Sequence, residues 1–157
     1  MGYRKILLAL DINDKGTVLF EEALDLACKL GAELALLGCF EQETVAEAED
    51  RVTTVSELDM SASLRIHDKR RHDQLQHIHA WLDDLVGIAE KRGISARADS
   101  EEGKPAKRIC EMAAHWGADL IMLGHSSRHP LKELLLGTIN THVVRDAPCA
   151  VLITKSL

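Results

Sequence analysis

The sequence predicts a single α/β domain built on an open, parallel, five-stranded sheet with helices on both faces. Three observations predict it. Short runs such as Ile6–Leu10 are apolar at every position, as in a strand buried on both faces, rather than alternating as in a half-solvated sheet. Apolar stripes at helical spacing separate these runs, and a glycine follows several of the stripes. The 157 residues suffice for one compact core and are too few for two, so residues 1–157 are read as one domain.

The elements follow in order. Lys5–Leu10 reads as the first strand, and the polar turn 11–16 leaves it. Leu19, Phe20, Ala23, Leu24, Ala27 and Leu30 form a helical stripe that Gly31 stops. Glu33–Phe40 is a second buried strand, which completes a right-handed parallel βαβ unit. Residues 41–71 then leave the sheet as a partly helical excursion. Its first part, 41–59, carries seven acidic side chains and one Arg, and Arg65, Lys69, Arg70 and Arg71 follow as a basic block able to complement it.

Leu75, Ile78, Leu82, Leu85 and Ala89 restore an apolar helical stripe, ended by Gly93. Ser95–Asp99 is a weak strand, suited to a sheet edge. Pro105 stands in the first turn of the next helix, where its missing N–H is tolerated, and Gly117 ends that helix behind Ile109, Met112, Ala113 and Trp116. A strand over Asp119–Leu123, a short helical segment at 131–136, a helix from Thr138 to Arg145 and a final strand Cys149–Thr154 complete the chain.

Composition narrows the function. The chain is 46% hydrophobic but only 3% aromatic, so its core is aliphatic, and a net charge of −6 argues against general nucleic-acid binding. Cys28, Cys39, Cys110 and Cys149 stand far apart with no Cys-x-x-Cys pair, which points to reduced thiols in a cytoplasmic protein rather than a metal knuckle. No apolar run is long enough for a signal sequence or a membrane span.

The informative stretch is Gly124-His-Ser-Ser-Arg-His-Pro-Leu-Lys-Glu-Leu-Leu-Leu-Gly-Thr138, directly after the apolar strand. A buried strand that ends in glycine is where a parallel sheet offers its backbone to a ligand. Gly137 and Thr138 open a helix whose free N–H groups and positive dipole end suit phosphate. There is no Gly-Lys-Ser/Thr and no Gly-x-Gly-x-x-Gly, so this is neither a P-loop nor a dinucleotide fingerprint. Arg128 and Lys132 give the run local positive charge.

Taken together, Ile6-Leu-Leu-Ala-Leu-Asp11, Gly103-Lys-Pro, Ala118-Asp-Leu-Ile-Met-Leu-Gly124, Leu134-Leu-Leu-Gly-Thr138 and Ala147-Pro-Cys-Ala-Val-Leu152 resemble the universal stress protein family, in its ATP-binding subtype. The family pattern is Gly-x-x-Gly, nine residues, then Gly-Ser/Thr; the spacing is kept here, with Ser127 at the second glycine. The resemblance implies a Rossmann-like sheet of order 3-2-1-4-5, in which Asp11 and Gly124 face one crevice. It implies ATP with Mg²⁺ as ligand, with Asp11 accepting from the ribose or adenine side and Ala9, Leu10, Cys39 and Leu123 around the base. Backbone N–H groups at Ser127 and at Thr138, Ile139 and Asn140 would hold phosphates, helped by the Thr138 and Asn140 side chains, with Gly124, Arg128 and Gly137 completing the loop. It also implies a homodimer through the last strand, 149–154, and a regulatory protein partner; a family member without ATP, working as a dimeric interaction module, is the alternative that Ser127 raises.

His72, His77 and His79 are read as surface residues, since i and i+2 diverge on a helix. His125 and His129 fall in the loop. No paired carboxylates, Ser/His/Asp set or Cys/His pair stands at a spacing that argues for catalysis, beyond slow ATP hydrolysis.

Overall fold

A computed structural model describes residues 2–11, 16–40, 57–124 and 138–155, with side chains except at 57–60 and 138. Its elements are β1 (Lys5–Asp11), α1 (Thr17–Leu30), β2 (Glu33–Phe40), α2 (Glu57–Lys91), β3 (Ala96–Glu102), α3 (Pro105–Trp116), β4 (Leu120–Gly124), α4 (Thr138–Asp146) and β5 (Ala150–Thr154). The five strands are parallel throughout and lie in the order β3-β2-β1-β4-β5, as expected.

Strand alternation divides the core in two. Ile6, Leu8, Leu10, Leu34, Leu36, Leu120 and Met122 pack on one face, against Leu19, Phe20, Ala23, Leu24 and Ala27 of α1 and Ile78, Leu82, Leu85 and Ala89 of α2. Leu7, Ala35, Leu37, Ile121 and Leu123 pack on the other, against Ala106, Ile109 and Ala113 of α3 and Val143 of α4. Burial on both faces is why these strands lack polar alternation.

Helix α1 begins after Gly16, whose φ is +48° and at which an added Cβ would come within 2.7 Å of Leu10 Cδ2. Glycine alone meets both demands without strain. The expected stops at Gly31 and Gly117 are left-handed caps, with φ of 63° and 73°.

Helix α2 is longer than the sequence stripe suggested. Its 35 residues, about 52 Å at the usual rise, absorb 57–71 of the expected excursion. Glu57 to Gln74 holds no Gly or Pro, so a helix anchored by Leu75–Ala89 propagates backward at little cost. Residues 41–56, with most of the acidic block, and the expected helical segment 131–136 lie outside the described residues. Arg71 of the basic block pairs with Glu102 of β3 at 2.6 Å.

Strand β3 also outgrows its sequence signal, running to Glu102 because it matches β2 for seven pairs, Leu34–Ala96 to Phe40–Glu102. Pairing satisfies the outer edge of β2, and that outweighs the poor strand propensity of Ser-Glu-Glu. The remaining strands and helices shift by one or two residues at their ends. No helix among the described residues is long and apolar enough to cross a membrane.

Candidate functional site

The ladder between β1 and β4 is short. It runs only from Ile6–Leu120 to Leu8–Met122, whereas β1 and β2 stay paired to Asp11–Cys39. Ala9, Leu10 and Asp11 on one side and Leu123 and Gly124 on the other therefore continue past the last shared pair. This opening lies where the chain winds one way through β1, β2 and β3 and the other way through β4 and β5, the switch point at which open α/β sheets take ligands.

Side-chain directions sort the expected site residues. Leu10 turns into the α1 core and Leu123 into the α3/α4 core, each about 3% exposed, so both bring mainly backbone to the crevice. Ala9 and Cys39 pack half-buried on the α3/α4 face. Asp11 shares that face and is exposed at the strand end. Cys39 stands in register between Asp11 on β1 and Glu101 on β3, which makes a row of three polar groups across the end of the sheet. Burial pushes the Cys39 thiol up to about 12, and the Glu101 charge adds to it while Arg108 opposes. This thiol is a neutral, weakly polar wall and not a nucleophile.

Gly124 and helix α4 are tied together. Asn140, 5% exposed, is the one polar residue buried as a whole among the described residues, and its Nδ2 donates to the Gly124 carbonyl at 3.1 Å. The family resemblance implies phosphate for this side chain; here its amide is engaged by the backbone at the end of β4. Thr138 and Ile139 open α4, which carries no acidic residue in its first turn, and the Ile139 side chain is exposed. Ser127, Arg128 and Gly137 lie outside the described residues, as do His125 and His129.

Sequence reasoning missed Thr154. Its Oγ1 is buried with no hydrogen-bond partner among the described residues, and the residue pairs in register with Gly124. The available signal was a hydroxyl residue closing an otherwise apolar strand at the carboxyl end of the sheet. His72, His77 and His79 are exposed, and His79 Nε2 lies 2.6 Å from Ser100 Oγ. Among the described residues no three His, Cys, Asp or Glu side chains come together as a metal site.

Residues 2–155 match the family model of the universal stress protein family. The chain belongs to that family. Universal stress protein Sll1388 of Synechocystis sp. is 28% identical over 155 residues, covering 99% of each chain. Universal stress protein YxiE of Bacillus subtilis is 27% identical over 155 residues, covering 98% of this chain and 99% of its own. Among solved structures, hypothetical protein MJ0577 superposes with a TM-score of 0.76 at 20% identity, covering 100% of this chain and 99% of its own. UspA of Lactobacillus plantarum gives 0.67 at 20% identity over 98% of both chains. A universal stress protein solved in complex with cAMP gives 0.64 at 18% identity, over 99% of this chain and 98% of its own. Likeness at such identity establishes the shared universal stress protein fold.

Proposed function

We propose that this universal stress protein binds ATP, with Mg²⁺, in the crevice between Asp11 and Gly124. Nucleotide occupancy would then govern its conformation or its contact with a regulatory protein partner. The observation that carries the reading is the divergence of β1 and β4 beyond Leu8 and Met122. A carboxylate ends one strand, and the other ends in a glycine held against the first turn of α4. A carboxylate accepts from ribose hydroxyls or a base amine, and a helix N-terminus with no acidic residue in its first turn favours phosphate. Ala9, Cys39 and the backbone at Leu123 would supply an uncharged wall for the base, and the Ser127 and Thr138–Asn140 backbone would supply the phosphate donors. The relative crystallised with cAMP supports an adenine nucleotide as the ligand class.

Mg²⁺ fits as an ion carried in by the phosphates. With Asp11 given to the ribose or base, phosphate oxygens and water would supply the Mg²⁺ ligands, which is an ordinary Mg²⁺ environment. The four free cysteines suit a cytoplasmic setting.

A second reading rests on β5. This edge strand, Ala-Val-Leu-Ile-Thr, has no charge, and Leu152 is 39% exposed. β3, the other edge, carries Arg97, Asp99, Glu101 and Glu102. Charged edges resist pairing and uncharged ones invite it, so we read the protein as a homodimer through β5, with or without nucleotide. The experiment that separates the readings is release of bound nucleotide from purified, denatured protein, followed by calorimetric titration of the stripped protein with Mg-ATP. Saturable binding is expected; its absence leaves the dimeric interaction module as the function.

A further inference from the structure

The row Asp11–Cys39–Glu101 extends the candidate crevice one strand further than the loop motif does. The three residues sit at one level of the sheet, through the pairs Asp11–Cys39 and Cys39–Glu101. They also share a face. Cys39 packs with the α3/α4 core, and so does Trp116, whose ring lies 5.8 Å from the guanidinium of Arg97, four residues before Glu101 on β3. Residues 97, 99 and 101 of a strand point the same way. With about 4.8 Å between neighbouring strands, Asp11 and Glu101 stand about 10 Å apart across Cys39.

Glu101 is half-buried, and its carboxylate makes no ion pair or hydrogen bond among the described residues. The nearby cation is engaged elsewhere: Arg108 donates through Nε to the Glu102 carbonyl at 3.1 Å and through Nη1 to Glu111 at 3.0 Å. Glu101 lies close enough to Cys39 for its charge to act on that thiol. Shielded in this way, a carboxylate without a partner is a strong acceptor for an N–H donor entering beside Cys39.

We propose that Glu101 is a specificity-determining residue of the nucleotide site, and that its carboxylate reads the exocyclic amino group of adenine. This rests on the proposed function. A nucleoside whose ribose meets Asp11 lays its base over Ala9 and Cys39, and the far edge of the base then reaches β3. The uncharged thiol between the two carboxylates lets the base pass without a third polar demand. A base without the amino group leaves Glu101 desolvated and unpaired, which is the source of discrimination.

The test compares Mg-ATP with the Mg complex of purine riboside 5′-triphosphate, which lacks only the amino group, by calorimetry on the full chain. Wild-type protein should prefer ATP by about tenfold. Glu101→Ala should narrow the gap to about twofold, by weakening ATP and by relieving the penalty on the analogue, and the isosteric Glu101→Gln, a neutral acceptor, should fall between. An undiminished gap in Glu101→Gln or in folded Glu101→Ala overturns the inference and leaves ATP binding intact. Equal affinities in the wild-type protein overturn it as well. Failure of both nucleotides to bind the wild-type chain removes the proposed function and this inference together.

Discussion

The Asn140 side-chain amide donates to the Gly124 carbonyl, joining the first turn of α4 to the end of β4 across thirteen intervening residues. With its side chain 5% exposed, the bond is made away from water, where an unmet carbonyl is costly. Asn140→Ala should lower stability by about 1–3 kcal/mol. Asn140→Asp should cost more at neutral pH, because a buried carboxylate would face a carbonyl oxygen. Its folded-state pKa would be raised, so the loss should shrink as pH falls, since the protonated acid can donate as the amide does. Urea melts at pH 7 and pH 4 check both. A pH-independent cost in Asn140→Asp would mean that the amide does not act as a donor here.

Cys39 and Cys28 should react very differently. With a pKa of about 12, Cys39 holds about one thiolate per ten thousand molecules at pH 8. Cys28 is exposed on α1. Mass-resolved alkylation at pH 8 should label Cys28 promptly and leave Cys39 untouched until the protein unfolds. The same shift fixes a sign for stability. The folded state keeps the proton to a higher pH than the usual 9.0. The contribution is therefore complete below about 9 and is lost as pH rises toward 12. Burial also pushes Cys110 and Cys149 up, in the same direction. Prompt labelling of Cys39 in the folded protein would contradict its place in the wall of the crevice.

Much of this fold was legible because the central strands carry their own evidence. Ile6–Leu10 and Glu33–Phe40 are buried on both faces, and a continuous apolar run is the direct consequence. The sequence was silent where tertiary contacts override local preference. Ser100, Glu101 and Glu102 extend β3 because β2 needs a partner, and Glu57–Gln74 is helical because α2 is anchored further along. Of the proposed site, the placing of Gly124 and Asp11 at strand ends could be read from the sequence. Glu101 could not, because only the pairing of β2 with β3 brings it beside Cys39. The buried bond of Asn140 was equally hidden, since an Asn in a first helical turn fits a ligand contact as well as a backbone one.

Gly124 and Ser127 give opposite expectations for nucleotide affinity. Gly124→Asp puts a carboxylate where the phosphates would approach, and it should abolish Mg-ATP binding in a protein that still folds. Ser127 replaces the second glycine of the family pattern, yet it retains its N–H and adds a hydroxyl. Ser127→Gly should therefore tighten ATP by about tenfold at most, or about 1.4 kcal/mol. Titration calorimetry on both variants reads this directly. Binding confined to Ser127→Gly would show that the wild-type chain has given up ATP.

The edge strand β5 makes the last prediction. Ala150 and Leu152 are exposed and Val151 and Ile153 half-buried, so an apolar edge and part of an apolar face stand uncovered in the isolated chain. Such an edge is an aggregation hazard unless something pairs with it. A two-fold contact that sets β5 of one copy antiparallel to β5 of the next would satisfy its free N–H and C=O groups and cover Leu152 at once. β3 is less suited, because its Arg97, Asp99, Glu101 and Glu102 charges resist edge pairing, and a two-fold seam centred on Asp99 would set the two Asp99 carboxylates against each other. Sedimentation should find a dimer at micromolar concentration. Leu152→Lys should shift it toward monomer without changing the helical circular dichroism, because that side chain lies outside both cores. A wild-type chain that stays monomeric and soluble at high concentration would refute the β5 interface.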